Sequence, residues 1–209
     1  MDSPLSLLIV DVSEAWEDVI EASERGYTLD FDNFGGRYVR GEYKPEMMMS
    51  MNYPHGTIRA GLNAIIGTAR VAHLLQVPTY SVELYSGWSD GEEQTCYSLH
   101  GFVPAANRYQ KNSMSAFKCA LADRLAKENC RRLMVIGYDR DCCVLEKVRD
   151  AVDRGIEVVT SEHCMLTTDR DSRRESSVAY FREHTTYLKS LEDVWNCLRK
   201  AALANPHDP

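Results

Sequence analysis

Three side chains set far apart along the chain could together perform nucleophilic chemistry: the carboxylate of Asp11, the ammonium of Lys111 and the thiol of Cys143. A thiolate attacks carbonyl carbons readily, a neighbouring carboxylate can shuttle protons, and a nearby ammonium favours thiolate over thiol. Taken singly, each residue has an ordinary reading. An aspartate ending a strand is commonly a loop former or helix cap. A lone lysine is commonly solvated, and a cysteine beside an apolar run is commonly a small buried hydrophobe. The chemistry therefore depends on whether the fold brings the three together.

Four short runs rich in apolar and β-branched residues have the character of strands covered on both faces: Leu5–Val12, Val77–Leu84, Leu133–Gly137 and Ile156–Thr160. Two further strands are expected through Asn107–Lys111 and Thr185–Leu188, giving about six. Between the strands lie helical stripes: Leu62, Ile65, Ile66, Ala69 and Ala72; Phe117, Ala120, Leu121 and Leu125; and Val144, Val148 and Ala151, with Gly155 set to end that helix. A final helix opens on the capping sequence Ser190-Leu191-Glu192-Asp193 and carries Leu191, Val194, Trp195 and Leu198 on one side. Strands alternating with helices imply βαβ units, a mostly parallel sheet and an α/β domain with helices on both faces. One stretch breaks the alternation. Glu21–Tyr53 is rich in Gly, Tyr, Asp and Met and contains Met47-Met48-Met49-Ser50-Met51. It reads as an irregular surface excursion, with a lid or subunit contact as the alternative. The rest, 1–209, reads as one domain, with Asn205–Pro209 a frayed end.

In an open parallel sheet, ligands bind outside the carboxyl ends of the strands. Asp11 ends the first strand and Lys111 the strand before the Ser115 helix, while Gly137–Cys143 joins the third long run to a helix starting near Val144. One rim of the sheet thus collects a carboxylate, an ammonium and a thiol, with the thiol at the positive end of a helix dipole. Glu83 and Trp16, near the ends or loops of the same strands, are candidate pocket walls. Arg140 could pair with a substrate carboxylate or, equally, form a salt bridge with Asp139, Asp141 or another neighbour.

Composition narrows the partners. Apolar residues make up 44% and charged residues 26%, and the net charge of -7 gives no electrostatic reason to expect nucleic acid. The apolar run Leu7–Val10 is far too short for a signal h-region or a membrane span. Seven cysteines, spread through strands and helices, fit a reducing cytoplasm better than a disulfide scaffold.

The segments Leu7-Leu8-Ile9-Val10-Asp11, Lys111-x-x-x-Ser115-Ala116-Phe117 and Gly137-x-x-x-Asp141-x-Cys143-Val144, in that order, resemble the isochorismatase-like cysteine hydrolases. The resemblance runs from about residue 5 to 195, excluding most of Glu21–Tyr53. It implies a three-layer α/β/α sandwich on a six-stranded, mostly parallel sheet and an Asp11-Lys111-Cys143 triad. It implies that Cys143, directly before the valine, is the nucleophile rather than Cys142. It also implies an oxyanion hole from the backbone N–H groups of Asp139 and Cys143, with a cis peptide between Tyr138 and Asp139. The substrate expected is a small amide or ureido compound cleaved at a C–N bond through a cysteine thioester. No cofactor is implied, and assembly into a homo-oligomer is.

Three departures carry consequences. Val12-Ser13 follows the first aspartate where the family often has Met-Gln. Asp139 and Arg140 stand where small or hydroxyl residues are usual, which would bring two further charges to the pocket. The Asp-x-His metal pattern of the nicotinamidase branch is missing: His100 is the only histidine between Glu83 and Lys111, and His55, His73, His163, His184 and His207 read as structural or surface residues. Metal binding is therefore not expected. Competing readings are vinyl ether hydrolysis by acid catalysis, which needs no thiol, and a non-catalytic scaffold or binding subunit. A Cys142–Cys143 redox pair stands last, because vicinal disulfides are strained.

Overall fold

The computed structural model describes residues 4–12, 58–84, 95–111, 115–167 and 171–204. The excursion at Glu21–Tyr53 with its methionines, Trp16, His55, His207 and the end at Asn205–Pro209 lie outside the described residues.

Six parallel strands form one sheet: β1 (Leu5–Val10), β2 (Thr79–Leu84), β3 (Arg108–Lys111), β4 (Arg132–Gly137), β5 (Glu157–Thr160) and β6 (Thr186–Tyr187). Their order across the sheet is β3-β2-β1-β4-β5-β6. The chain therefore fills one half of the sheet outward from β1, then returns to start the other half at β4. The expected strands are all present, each one or two residues shorter or shifted at an end. At these ends backbone pairing, rather than hydrophobicity, sets the boundary.

Side chains of β1 alternate between two cores, as the period of a strand demands. Leu5, Leu7 and Ile9 face α1 (Ile58–Leu74) and α5 (Leu191–Ala204), packing with Leu62, Ile65, Ala69, Val194 and Leu198. Leu8 and Val10 face the opposite core, with Leu121 and Leu125 of α2 (Ala120–Lys127), Val148 and Ala151 of α3 (Leu145–Asp153) and Phe181 of α4 (Asp171–His184). The result is a three-layer α/β/α sandwich. Burial of every β1 residue explains why that strand reads as an apolar run interrupted only by Ser6.

Local signals act where expected. The Ser190 hydroxyl accepts from the Asp193 N–H at 3.1 Å, capping α5. Gly155 adopts a φ of 72° just past α3, and the N–H groups of Gly155 and Ile156 donate to Val152 and Ala151, closing the helix with a Schellman motif. Helix α4 has no counterpart in the sequence expectations; its sequence is dominated by Ser, Arg and Glu, with Val178 and Phe181 among its few buried apolar side chains. Ala120, expected in the α2 stripe, is exposed. Among the described residues no helix is long and apolar enough to cross a membrane.

Candidate active site

The order of the strands creates the site. Beta1 pairs with β2 on one side and β4 on the other, so the point where the strand order reverses lies at the carboxyl ends of β1 and β4. Asp11 follows β1 there, with a φ of 50° and its N–H donating to the Val82 carbonyl at 2.8 Å. This left-handed conformation is one that aspartate tolerates better than most residues, and it turns the side chain across the strand ends. Lys111 is the last residue of β3, in register with the end of β2. Its side chain is fully buried, and its Nζ donates to Asp11 Oδ2 at 2.7 Å. Burial works against the Lys111 ammonium, but the charge of Asp11 and the bond to Asp11 outweigh it and raise its pKa.

Cys143 arrives from the other half of the sheet. Beta4 ends at Gly137, the Tyr138–Asp139 peptide is cis, and a wide turn over Arg140–Val144 leads into α3. The Asp139 carbonyl accepts from the N–H of Cys142 at 3.1 Å and of Val144 at 2.8 Å, two bonds that straddle Cys143. The Cys143 side chain is buried and interacts with Asp11, Lys111 and Cys142. A hydrogen bond with Cys142, burial and the charge of Asp11 push the thiol up, and Lys111 opposes them without prevailing. The proton stays on sulfur until a base removes it.

Of the two readings open for Arg140, the geometry realises the salt bridge. The side chain is buried, with Nε 2.8 Å from Asp141 Oδ1 and an Nη 2.7 Å from Oδ2. Asp141 also accepts from Thr167 Oγ1 at 3.0 Å and from the Ser177 hydroxyl. A buried guanidinium needs such a partner, so this fork is committed to the protein itself. Asp139 is similarly engaged, its Oδ1 accepting from the Asp141 N–H at 3.2 Å. The two further charges expected in the pocket are thus drawn into the turn that carries Cys143.

Glu83, on β2, is buried and accepts a 2.7 Å bond from Thr95 Oγ1, whose oxygen is itself 2.7 Å from Ser81 Oγ. Burial first, then the hydrogen bonds and the charge of Asp11, set the Glu83 carboxyl at about 7. It is a carboxyl poised between its two forms beside the Asp11–Lys111 pair. Trp16 lies outside the described residues.

One residue at the site has no counterpart among the sequence expectations. Lys147 sits on α3 four residues after Cys143 and is fully buried. Burial and the Lys111 charge lower it to about 8. The signal was available: Lys147 falls on the same helical face as Val144, Val148 and Ala151, a face otherwise reserved for apolar side chains. All seven cysteines are free thiols. His100 bonds the Thr95 carbonyl through Nε2 at 2.7 Å.

Comparison with known proteins bears on the family and the fold. The Isochorismatase domain family matches residues 48–193. No curated protein matches significantly. Among solved structures, the YcaC gene product of Escherichia coli, described as an octameric hydrolase of unknown specificity, superposes with a TM-score of 0.65 at 14% identity, over 96% of this chain and 85% of that one. YcaC from Pseudomonas aeruginosa, which carries hexane-2,5-diol and covalent acrylamide, gives 0.64 at 13% identity, over 99% and 83%. The nicotinamidase of Staphylococcus aureus gives 0.61 at 12% identity, over 90% and 100%.

Proposed function

Because the chain belongs to the isochorismatase family of hydrolases, we propose that it is a cysteine amidohydrolase that cleaves a C–N bond of a small amide or ureido compound. The observation that carries this reading is the buried Lys111–Asp11 pair, 2.7 Å apart, meeting the Cys143 thiol where the strand order reverses.

Each group has one task in such a reaction. Lys111 holds Asp11 in place, and Asp11 takes the proton from the Cys143 thiol as substrate arrives. The thiolate attacks the carbonyl carbon, and the N–H groups of Asp139 and Cys143 hold the developing oxyanion, a contribution of about 3 kcal/mol per donor in comparable sites. Asp11 then gives its proton to the departing nitrogen. Ammonia or an amine leaves, and a thioester remains on Cys143. A water deprotonated by Asp11 attacks that thioester, the acid is released, and the proton returns to sulfur. Glu83 forms a polar wall beside Asp11, suited to hydrogen bonds with an amide N–H. Arg140 is left out of substrate binding, because Asp141 occupies its fork.

Pseudomonas aeruginosa YcaC, a protein of the same fold, carries covalent acrylamide, which fits a reactive nucleophile in that protein. The octameric Escherichia coli YcaC supports a homo-oligomeric assembly for this chain. The decisive experiment is ammonia release from a panel of simple amides and ureides by wild type, Cys143→Ala and Asp11→Ala. Loss in both variants supports the reading. Unchanged ammonia release in Cys143→Ala refutes it.

A further inference from the structure

One carboxylate ties the turn that carries Cys143 to two other parts of the fold. An ionised aspartate has about four places to accept a hydrogen bond, and at Asp141 all of them are taken. Oδ1 accepts from Arg140 Nε at 2.8 Å and from the Ser177 hydroxyl, while Oδ2 accepts from an Arg140 Nη at 2.7 Å and from Thr167 Oγ1 at 3.0 Å. The donors come from the turn itself, from the segment after β5 and from α4. Arg140, Thr167 and Ser177 are each 1% exposed.

We propose that Asp141 is a positioning residue, which through Thr167 and Ser177 fixes the backbone of the Cys143 turn so that its N–H groups are aimed at the oxyanion of the reacting carbonyl. The inference rests on the cysteine-hydrolase reading above, with the N–H groups of Asp139 and Cys143 as the oxyanion donors.

A carboxylate with every acceptor site filled has nothing left to offer a substrate, so its role is to hold. The Arg140–Asp141 pair alone cannot locate the turn, because both members belong to it and would move together. Thr167 and Ser177 can, since they belong to other elements. Backbone bonds run beside them: the Arg140 N–H donates to the Leu166 carbonyl at 2.9 Å, and the Leu166 N–H to the Gly137 carbonyl at 2.8 Å. Within the turn, Asp139 Oδ1 accepts from the Asp141 N–H at 3.2 Å, and the Asp139 carbonyl from the N–H groups of Cys142 and Val144 at 3.1 and 2.8 Å. Residues 139–144 are thus one linked body, and a displacement at Asp141 reaches the peptide units of Asp139 and Cys143 on either side. Oxyanion donors act only when already in place, within about 2.7–3.1 Å of the oxygen. A small shift of the turn costs such directional bonds more than it costs the reach of a sulfur that can rotate about its own Cβ. Asp11 and Lys111, held on β1 and β3, stay where they are.

The test compares two reactions of Cys143 and does not need the natural substrate. Iodoacetamide alkylates the sulfur by displacement of iodide, with no oxyanion. Acylation by p-nitrophenyl acetate passes through a tetrahedral oxyanion, expels p-nitrophenolate and leaves a thioester. Alkylation is read by peptide mass mapping, and acylation as the initial p-nitrophenolate release that is lost in Cys143→Ala. The ratio of acylation to alkylation should be higher for wild type than for the free thiol of glutathione. Thr167→Val and Ser177→Ala each remove one tie and keep the Arg140–Asp141 pair. Each should lower the ratio at least about threefold, and the double variant about tenfold. Thr185→Val, which removes a hydroxyl bond to the Phe181 carbonyl at the end of α4, is the control and should keep the wild-type ratio. Thermal unfolding reports whether each variant is folded, and the single variants decide if the double is not. A ratio unchanged in Thr167→Val and Ser177→Ala, whether both rates fall alike or neither moves, overturns the inference and leaves the nucleophile standing. A wild-type ratio no higher than that of glutathione does the same. Wild-type Cys143 that resists both reagents overturns the cysteine-hydrolase reading with it.

Discussion

Lys111 and Asp11 are 100 residues apart in sequence and 2.7 Å apart in space, joined through a side chain with no solvent exposure on the lysine and 9% on the aspartate. Neither residue is adjacent to the other in the sheet: β2 lies between β1 and β3. The lysine must therefore reach across a whole strand, and the pair exists only because β1, β2 and β3 are in parallel register with their carboxyl ends level. A lysine side chain of five heavy atoms spans that gap and gives the carboxylate a charged partner. The pair thus sets an opposite charge at hydrogen-bonding distance from Asp11 inside a buried site.

Removing one partner should be far worse than removing both. Lys111→Met leaves a buried carboxylate unpaired, and breaking such a pair costs about 3–5 kcal/mol. Amide turnover should fall by at least about a hundredfold, because Asp11 loses the partner that orients it as the base. Urea denaturation of Lys111→Met, Asp11→Asn and the double variant checks the coupling. The double variant should be more stable than the sum of the single losses predicts. Strict additivity of the two would show that the pair is not a unit.

Arg140 should matter to stability rather than to recognition. Its guanidinium and Asp141 bury each other, and Thr167 and Ser177 complete the carboxylate's bonds. Burial opposes the Asp141 charge, but the Arg140 bonds prevail and its pKa lies below the ordinary carboxylate value. A depressed folded pKa contributes stability that is present above the unfolded value near 3.8 and is lost as pH falls below it. Arg140→Met should cost about 3–5 kcal/mol at pH 7. It should also shift acid unfolding upward in pH. KM for whatever amide is turned over should change little at temperatures where the variant is folded. A selective rise in KM with full stability would return Arg140 to the substrate pocket.

These cases show what the sequence discloses and what it withholds. Beta1, β2, β4 and β5 are legible because both faces are covered, so their composition alone marks them. Asp11, Lys111 and Cys143 are legible because strand ends and a helix start converge on one rim. Helix α4 is not, since a helix that buries little more than Val178 and Phe181 leaves no apolar stripe to read. The partner of Arg140 stays open in sequence because Asp139 and Asp141 flank it alike, and only the turn's geometry chooses between them. Lys147 is passed over for a different reason: a lysine on a helix is ordinarily solvated, and its burial depends on what Lys111 brings from across the sheet.

Glu83 offers a titration with a definite sign. In the unfolded chain it ionises near 4.5, and in the fold near 7, so the folded state holds the extra proton between those values. Stability must then decline as pH rises through that window and level off above it. Glu83→Gln keeps the shape and the acceptor for Thr95 but cannot ionise. The variant should gain on wild type from pH 4.5 upward, reaching on the order of 3 kcal/mol at pH 8. Urea midpoints at pH 5 and pH 8 measure it. Parallel pH dependence in the two proteins would remove Glu83 from the buried, proton-holding role.

The last prediction concerns the seam on which both halves of the site depend. Gly137 ends β4 opposite Val10, the residue before Asp11, and adopts a φ of 128° that side chains rarely take up. A Cβ built there would lie 2.1 Å from the Val10 carbonyl oxygen and 2.6 Å from its nitrogen. Both obstacles are backbone, so no side chain can swing aside, and the strands themselves would have to part. Gly137→Ala should therefore cost roughly 3 kcal/mol or more. Because the same two strand ends carry Asp11 and the approach to Cys143, whatever folds should also show at least about a tenfold slower alkylation of Cys143. Gly101→Ala, where a Cβ would meet nothing within 4 Å, is the matched control and should change neither. Thermal unfolding and alkylation of the pair settle it: equal behaviour of Gly137→Ala and Gly101→Ala would mean that the β1–β4 contact does not set the separation of the two catalytic strand ends.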